Sequence, residues 1–305
     1  ATLCTVERRF EPASAWRAAI KALRPHQWLK NVLLFVPVLA AHRFFDAAAL
    51  SAVALAFVSF SLCASGVYLL NDLLDLAADR AHPRKRTRPF AAGRLPLHIG
   101  LLGAPLLTLA AYAIAVCLLP VAFVVWLTVY LLVTLAYSMA LKRVAMLDVL
   151  VLAGLYTLRV IAGGAASAVP LSFWLLAFAM FVFLSLAMLK RYAELHDLRA
   201  SGGSLVNGRG YDVEDLPLVQ SLGAASGYVS VLVLALYIQS SASAALYSRP
   251  MLLWLLCPLL LYWISRAWML AHRGRMHDDP LAFAATDRAS WAVIVLAALT
   301  VIGAL

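Results

Sequence analysis

The chain has 305 residues, 64% of them hydrophobic and only 13% charged, a balance that excludes an ordinary water-soluble domain. Its net charge of +10 would suggest nucleic acid in a soluble protein. In a chain this apolar, basic loops on the cytoplasmic side are the simpler source, and no nucleic-acid partner is expected. The apolar runs are continuous and do not alternate, which argues against a β-barrel.

Residues 1–27 form a polar, basic N-terminal segment expected in the cytoplasm. They lack the apolar core of a cleavable signal peptide. The first residue is Ala, which is compatible with a truncated or processed chain. From residue 28 to 305 the pattern predicts one all-α polytopic membrane domain of nine spans. These run over 28–44, 48–72, 98–119, 121–141, 147–168, 172–192, 216–240, 249–271 and 288–305. Pro37 interrupts the short first span, and Pro120 divides one long apolar stretch into spans 3 and 4. Cys63, Cys117 and Cys257 lie inside apolar runs, and with Cys4 they share no metal or redox spacing.

With nine spans, the N-terminal segment, the loops on its side and the span ends that adjoin them hold 21 of the 25 Lys and Arg. That asymmetry places this side in the cytoplasm and the C-terminus opposite. The connections after spans 2 and 6 are long and polar, so function is expected at the cytoplasmic face.

The first of these connections begins with "NDLLDLAADR". Asp72, Asp75 and Asp79 are spaced i, i+3, i+7 and are expected on one helical face, with Asn71 beside them. Carboxylates so close together at a membrane boundary call for a compensating cation. Mg2+ fits, since it takes oxygen ligands and commonly binds through one or two carboxylates plus substrate phosphates. The alternative is a helix end whose acids pair with nearby bases. Arg80, Arg84, Lys85, Arg86, Arg88 and Arg94 follow. They are either positive-inside charge or phosphate contacts, and Arg84, Lys85 and Arg88 are the candidates to face substrate.

Span 4 closes in "AYSMALKR", where Tyr137 and Lys142 are candidates for the same mouth, although Tyr also marks membrane interfaces. Arg159 lies inside span 5, and a charge there faces a partner or a wet cavity. Gly154, Gly163 and Gly164 are candidates for close helix packing. Span 6 ends in "LKRYAELHDL". Lys190, Glu194 and Asp197 share a face, flanked by Arg191 and Tyr192. They form either an ion-paired membrane edge or a second polar wall facing the first. The seven histidines show no ligand spacing, and no Gly-rich nucleotide loop stands out.

These residues resemble the UbiA superfamily of intramembrane prenyltransferases. "NDLLDLAADR" matches its NDxxDxxxD motif, "YSMALK" resembles its Tyr and Lys at a span end, and "KRTRPFAAG" resembles its basic loop. The resemblance covers about residues 22 to 290. It implies nine helices around a central cavity, two polar motifs at its mouth, and a Mg2+-bound diphosphate. Where the family has a second DxxxD motif, this chain has KRYAELHD, supplying Lys190 and Glu194 at that spacing. With "RPHQWLKN", "RVIAGGAA" and "PLSFW", this resembles the branch that contains decaprenyl-phosphate phosphoribosyltransferase. The loop "RASGGSLVNGRGYDVEDLPLVQSLG" resembles relatives with a phosphatase-like domain ahead of the membrane domain, which need not share the decaprenyl substrate.

The expectation is therefore a Mg2+-dependent transferase acting on a polyprenyl lipid and a diphosphate donor. The branch resemblance implies phosphoribosyl transfer from phosphoribosyl diphosphate to a polyprenyl phosphate, with loss of pyrophosphate. Asp72 and Asp75 hold the metal, with Asn71 and Asp79 assisting. Lys142, Lys190 and Arg191 neutralise the leaving group, and Arg159 orients the acceptor. Glu194 either binds metal or pairs with Lys190. Prenyl transfer to an aromatic or other acceptor is one alternative. An anionic-solute transporter is the other, and the nearly uncharged far side argues against it.

Overall fold

The computed structural model describes residues 12–81, 85–200, 202, 210–276 and 280–305. Among these residues every regular element is helical, and seven helices are long and apolar enough to cross a membrane. Contacts divide the chain into two compact units, 1–135 with 162–169 and 136–161 with 170–305.

In the first unit, α1 (Pro12–Leu23) leads into an 11-residue 3-10 helix, Pro25–Phe35, and then α2 (Val36–Ala40). This is the expected first span. Its 3-10 part rises about 2 Å per residue, so it covers roughly 22 Å. The short α2 adds about 7 Å. Sixteen residues thus approach the ~30 Å of a hydrocarbon core.

Next come α3 (Ala47–Leu74), α4 (Leu76–Ala81) and α5 (Leu97–Leu118). Asp46 caps α3 by accepting from the Ala49 N–H at 2.9 Å. Helix α6 (Val121–Met139) starts where Pro120 ends the preceding run, as expected. Helices α3 and α5 approach closely. A Cβ at Gly66 would lie 2.9 Å from the Ala104 carbonyl oxygen, so only Gly fits there. Ala18 and Ala22 of α1 pack into the same core with Leu69, Phe90 and Leu95.

Helix α7 (Leu147–Ser167) passes from the second unit back into the first. A Cβ at Gly163 would fall 2.0 Å from the Leu34 carbonyl oxygen, whereas one at Gly154 would meet nothing within 4 Å. Close packing is thus found at Gly163 and not at Gly154.

The second unit holds α8 (Phe173–Ala200), α9 (Leu216–Ile238), α10 (Ser241–Leu246), α11 (Leu256–His272), α12 (Pro280–Thr286) and α13 (Arg288–Ala304). Helix α8 runs eight residues past the expected end of its span. The polar KRYAELHD segment is therefore helical and keeps its i, i+4 geometry. Arg266 holds Asp287 through two hydrogen bonds of 2.7 and 2.9 Å, and Asp287 caps α13 through the Ser290 N–H at 2.8 Å. Helix α13 has 17 residues, about 25 Å of rise. The nine expected spans thus correspond to seven long helices, α11 among them together with the 3-10 helix Pro250–Leu255 that leads into it, and two shorter segments.

Candidate functional site

The acidic motif lies in the first unit. Asp72 is near the end of α3 and only 2% exposed. Its Oδ1 accepts from Arg24 Nη2 at 2.5 Å and from Arg88 Nη1 at 3.2 Å. The same Arg88 nitrogen donates to Asp79 Oδ2 at 2.6 Å. Asp75 is a turn residue (φ −89°, ψ 9°) that separates α3 from α4. The three acids therefore do not share one uninterrupted helical face, yet Asp72 and Asp79 converge on one guanidinium.

Asn71 and Asp75 are half-buried, and the Asp75 N–H donates to the Asn71 carbonyl at 2.9 Å. Lys85 is exposed in a 3-10 turn, Lys85–Thr87, whose first carbonyl accepts from the Arg88 N–H at 2.9 Å. Arg84 lies outside the described residues.

Arg24 reaches this cluster from the chain preceding the 3-10 helix. Its backbone is left-handed (φ 53°, ψ 57°), a conformation that costs a non-glycine residue about 1–2 kcal/mol. Neighbouring contacts hold it there. Trp28 Nε1 donates to Ser65 Oγ at 3.0 Å, and Ser65 Oγ donates to the Leu23 carbonyl at 2.9 Å. Asn31 Nδ2 donates to Ser61 Oγ at 3.0 Å. The Arg24 guanidinium also lies 5.1 Å from the centre of the Tyr68 ring. Trp28 and Asn31 thus anchor the segment, while Arg24 carries charge to Asp72.

A second cluster lies in the second unit. Arg191, fully buried on α8, has Nη2 2.5 Å from Asp148 Oδ2, and its Nη1 bonds Glu194 one turn on. Tyr137 donates from its hydroxyl to Asp148 Oδ1 at 2.7 Å. The guanidinium stands 5.3 Å from the Tyr211 ring centre, and the Tyr211 hydroxyl accepts from the Met146 N–H at 2.8 Å. Burial pushes the Tyr211 hydroxyl above its ordinary pKa, so it stays neutral near pH 7.

Lys190 is half-buried, Asp197 is exposed, and Lys142 is half-buried in the turn Leu141–Arg143. Tyr192 is turned to His272, with 3.1 Å between its hydroxyl and Nδ1, and packs edge-on to Trp268. Buried Arg159 donates to the Leu155 carbonyl at 2.6 Å and lies over Tyr156.

Among the described residues, no three His, Cys, Asp or Glu side chains form a ready-made metal centre. Asp72 nevertheless fits a hard cation bound partly by substrate. Its Oδ2 is buried and has no hydrogen-bond partner among the described residues. Mg2+ commonly takes one or two carboxylates and completes its shell with phosphate oxygens and water.

Two residues absent from the sequence-based candidates matter here. Arg24 opens the quoted RPHQWLKN run, and a basic residue just ahead of the first span was the available signal. Asp148 is the lone acid in the first turn of α7. A fully buried carboxylate requires a partner, and that requirement was its signal.

The model of the UbiA prenyltransferase family matches residues 32–294. The chain is 39% identical over 291 residues to the uncharacterized protein y4nM of Sinorhizobium fredii, covering 95% of this chain and 56% of that protein. It is 43% identical over 198 residues to the decaprenyl-phosphate phosphoribosyltransferase of Mycobacterium tuberculosis, covering 64% of this chain and 65% of that one. The chain thus aligns with less than two thirds of the length of each of these two relatives. Its fold is similar to that of a UbiA homolog from Archaeoglobus fulgidus bound to GPP and Mg2+. The TM-score is 0.68 and the identity 15%, over 93% of this chain and 97% of that one.

Proposed function

The chain belongs to the UbiA prenyltransferase family, and on that premise we propose that it is a Mg2+-dependent membrane transferase using a diphosphate donor. The observation that carries this reading is Asp72: a buried carboxylate with one oxygen held by two arginines and the other without a hydrogen-bond partner among the described residues. Asp72 and Asp75 would hold the metal, with Asn71 and Asp79 assisting. Bound there, Mg2+ would supply charge neutralisation for a departing pyrophosphate. Arg88 and Lys85 bind phosphate oxygens of the donor, and Lys142 and Lys190 neutralise the leaving group. Arg191, already paired with Asp148 and Glu194, orients Glu194 and holds Tyr137 in place through Asp148. Arg159 orients the acceptor.

The transferred group is 5-phosphoribosyl and the acceptor a polyprenyl phosphate. An oxygen of the lipid phosphate bonds to the ribose anomeric carbon as that carbon's bond to pyrophosphate breaks. Two features support this choice. One is the similarity to a decaprenyl-phosphate phosphoribosyltransferase. The other is Lys190 in the KRYAELHD segment, which adds base where a donor with an extra phosphate and an anionic acceptor need it. The basic-residue asymmetry puts the N-terminus and these polar ends in the cytoplasm and the C-terminus opposite.

Membranes containing the protein, incubated with Mg2+, polyprenyl phosphate and radiolabelled phosphoribosyl diphosphate, should yield labelled lipid. Absence of labelled lipid, together with turnover of a prenyl diphosphate on an aromatic acceptor, would move the assignment to prenyl transfer.

A further inference from the structure

We propose that Arg24 and Arg88 are resident counter-ions of the acidic motif, exchanged on binding, so that the divalent metal enters tightly only together with a diphosphate. The proposal rests on the reading of Asp72 as a metal ligand and adds the order in which its partners change.

Asp72 Oδ1 already has two cations on it, Arg24 at 2.5 Å and Arg88 at 3.2 Å. Arg88 also pairs with Asp79 at 2.6 Å, so two arginines stand against two buried acids. A divalent ion arriving alone at Oδ2 would face both guanidiniums across one carboxylate group. Repulsion over that distance is strong where water is scarce. A diphosphate changes the balance. It brings several negative charges and the planar oxygen edges that guanidinium groups bind in pairs. The arginines then move onto phosphate while the metal takes the carboxylate.

The two partners are built for such an exchange. Asp72 is buried, but the Arg24 and Arg88 side chains are 22% and 28% exposed, so an incoming anion can reach them. The Arg24 backbone is fixed by the contacts around Leu23, Ser65 and Trp28, so only its head needs to move. The Tyr68 ring beneath that head offers a surface to move across.

The experiment uses the purified full chain in lipid nanodiscs. Mn2+, standing in for Mg2+, is titrated alone by electron paramagnetic resonance, and radiolabelled pyrophosphate is titrated separately at saturating Mg2+. Arg24→Gln should bind Mn2+ alone about tenfold more tightly than the parent and pyrophosphate with Mg2+ about tenfold more weakly. Arg24→Lys should lie between. If R24Q yields no folded protein, R88Q carries the same pair of expectations. Metal affinity unchanged or weakened in these variants overturns the exchange. Asp72→Asn separates the two levels of the argument. If D72N binds Mn2+ as tightly as its parent, in the wild-type and the R24Q backgrounds alike, the metal assignment itself fails.

Discussion

Arg191 and Asp148 meet 2.5 Å apart with both side chains closed off from solvent. Such a pair gains little over an apolar replacement, yet losing one partner strands a buried charge. Asp148→Leu alone, or Arg191→Met alone, should therefore destabilise the protein by about 3–5 kcal/mol. Arg191→Met combined with Asp148→Leu should recover much of that loss. Unfolding in mixed micelles, followed for both single variants and the double, measures it. Additive losses would mean the two groups do not act as a pair.

Asp72→Asn keeps the shape of the side chain and removes its charge. If Asp72 holds the metal of the proposed reaction, this should cut lipid-linked product by about 10²-fold or more, since even indirect supports of metal ligands cost 10–100-fold. The check is labelled-lipid formation in membranes at fixed Mg2+ and donor. Undiminished turnover would remove the metal role.

Gly163 and Gly154 share a helix but not an environment. Gly163→Ala drives a methyl group into the Leu34 backbone and should cost about 1–3 kcal/mol. Gly154→Ala meets open space and should be neutral or stabilising by up to about 1 kcal/mol. Midpoints of unfolding for the two variants, compared side by side, decide it.

The cap of α13 makes part of the stability depend on pH. Burial raises the pKa of Asp287, but bonds from Arg266 and Ser290 outweigh it and hold the carboxyl below its ordinary value. The folded state thus favours the ionised form. Its contribution is fully present above the ordinary carboxylate pKa and is lost as pH falls through the lowered one. Asp287→Asn can still cap the helix but loses the ion pair with Arg266, and should lower stability by up to about 1 kcal/mol at neutral pH. The gap from wild type should close in acid, as thermal midpoints over pH 3 to 7 would show.

Orientation can be tested separately. Alkaline phosphatase fused after Leu305 should be active, and the same reporter fused after Arg94 inactive. The opposite pattern would reverse the cytoplasmic assignment.

Much of this was legible in the chain. Continuous apolar runs gave the helices, because length and hydrophobicity alone decide what crosses a bilayer. NDLLDLAADR marked the acidic cluster, and the bases after it included Arg88. Arg24 was harder to find, because its bond to Asp72 spans 48 positions and depends on how the 3-10 segment lies against α3. Local spacing contains no such information. Arg191 shows the same limit. Its charge suggested phosphate, and only packing reveals that two carboxylates of its own unit already hold it.

The tight winding of Pro25–Phe35 has a geometric consequence. Three residues at about 2.0 Å each advance as far as four at 1.5 Å, about 6 Å either way. Trp28 and Asn31, three apart, can therefore mesh with Ser65 and Ser61, four apart on α3. The two rods interlock like gears of different tooth count and equal pitch. Rewinding the segment as an ordinary α-helix, or inserting a single amino acid within it, would throw the teeth out of step and carry Arg24 away from the acid it serves.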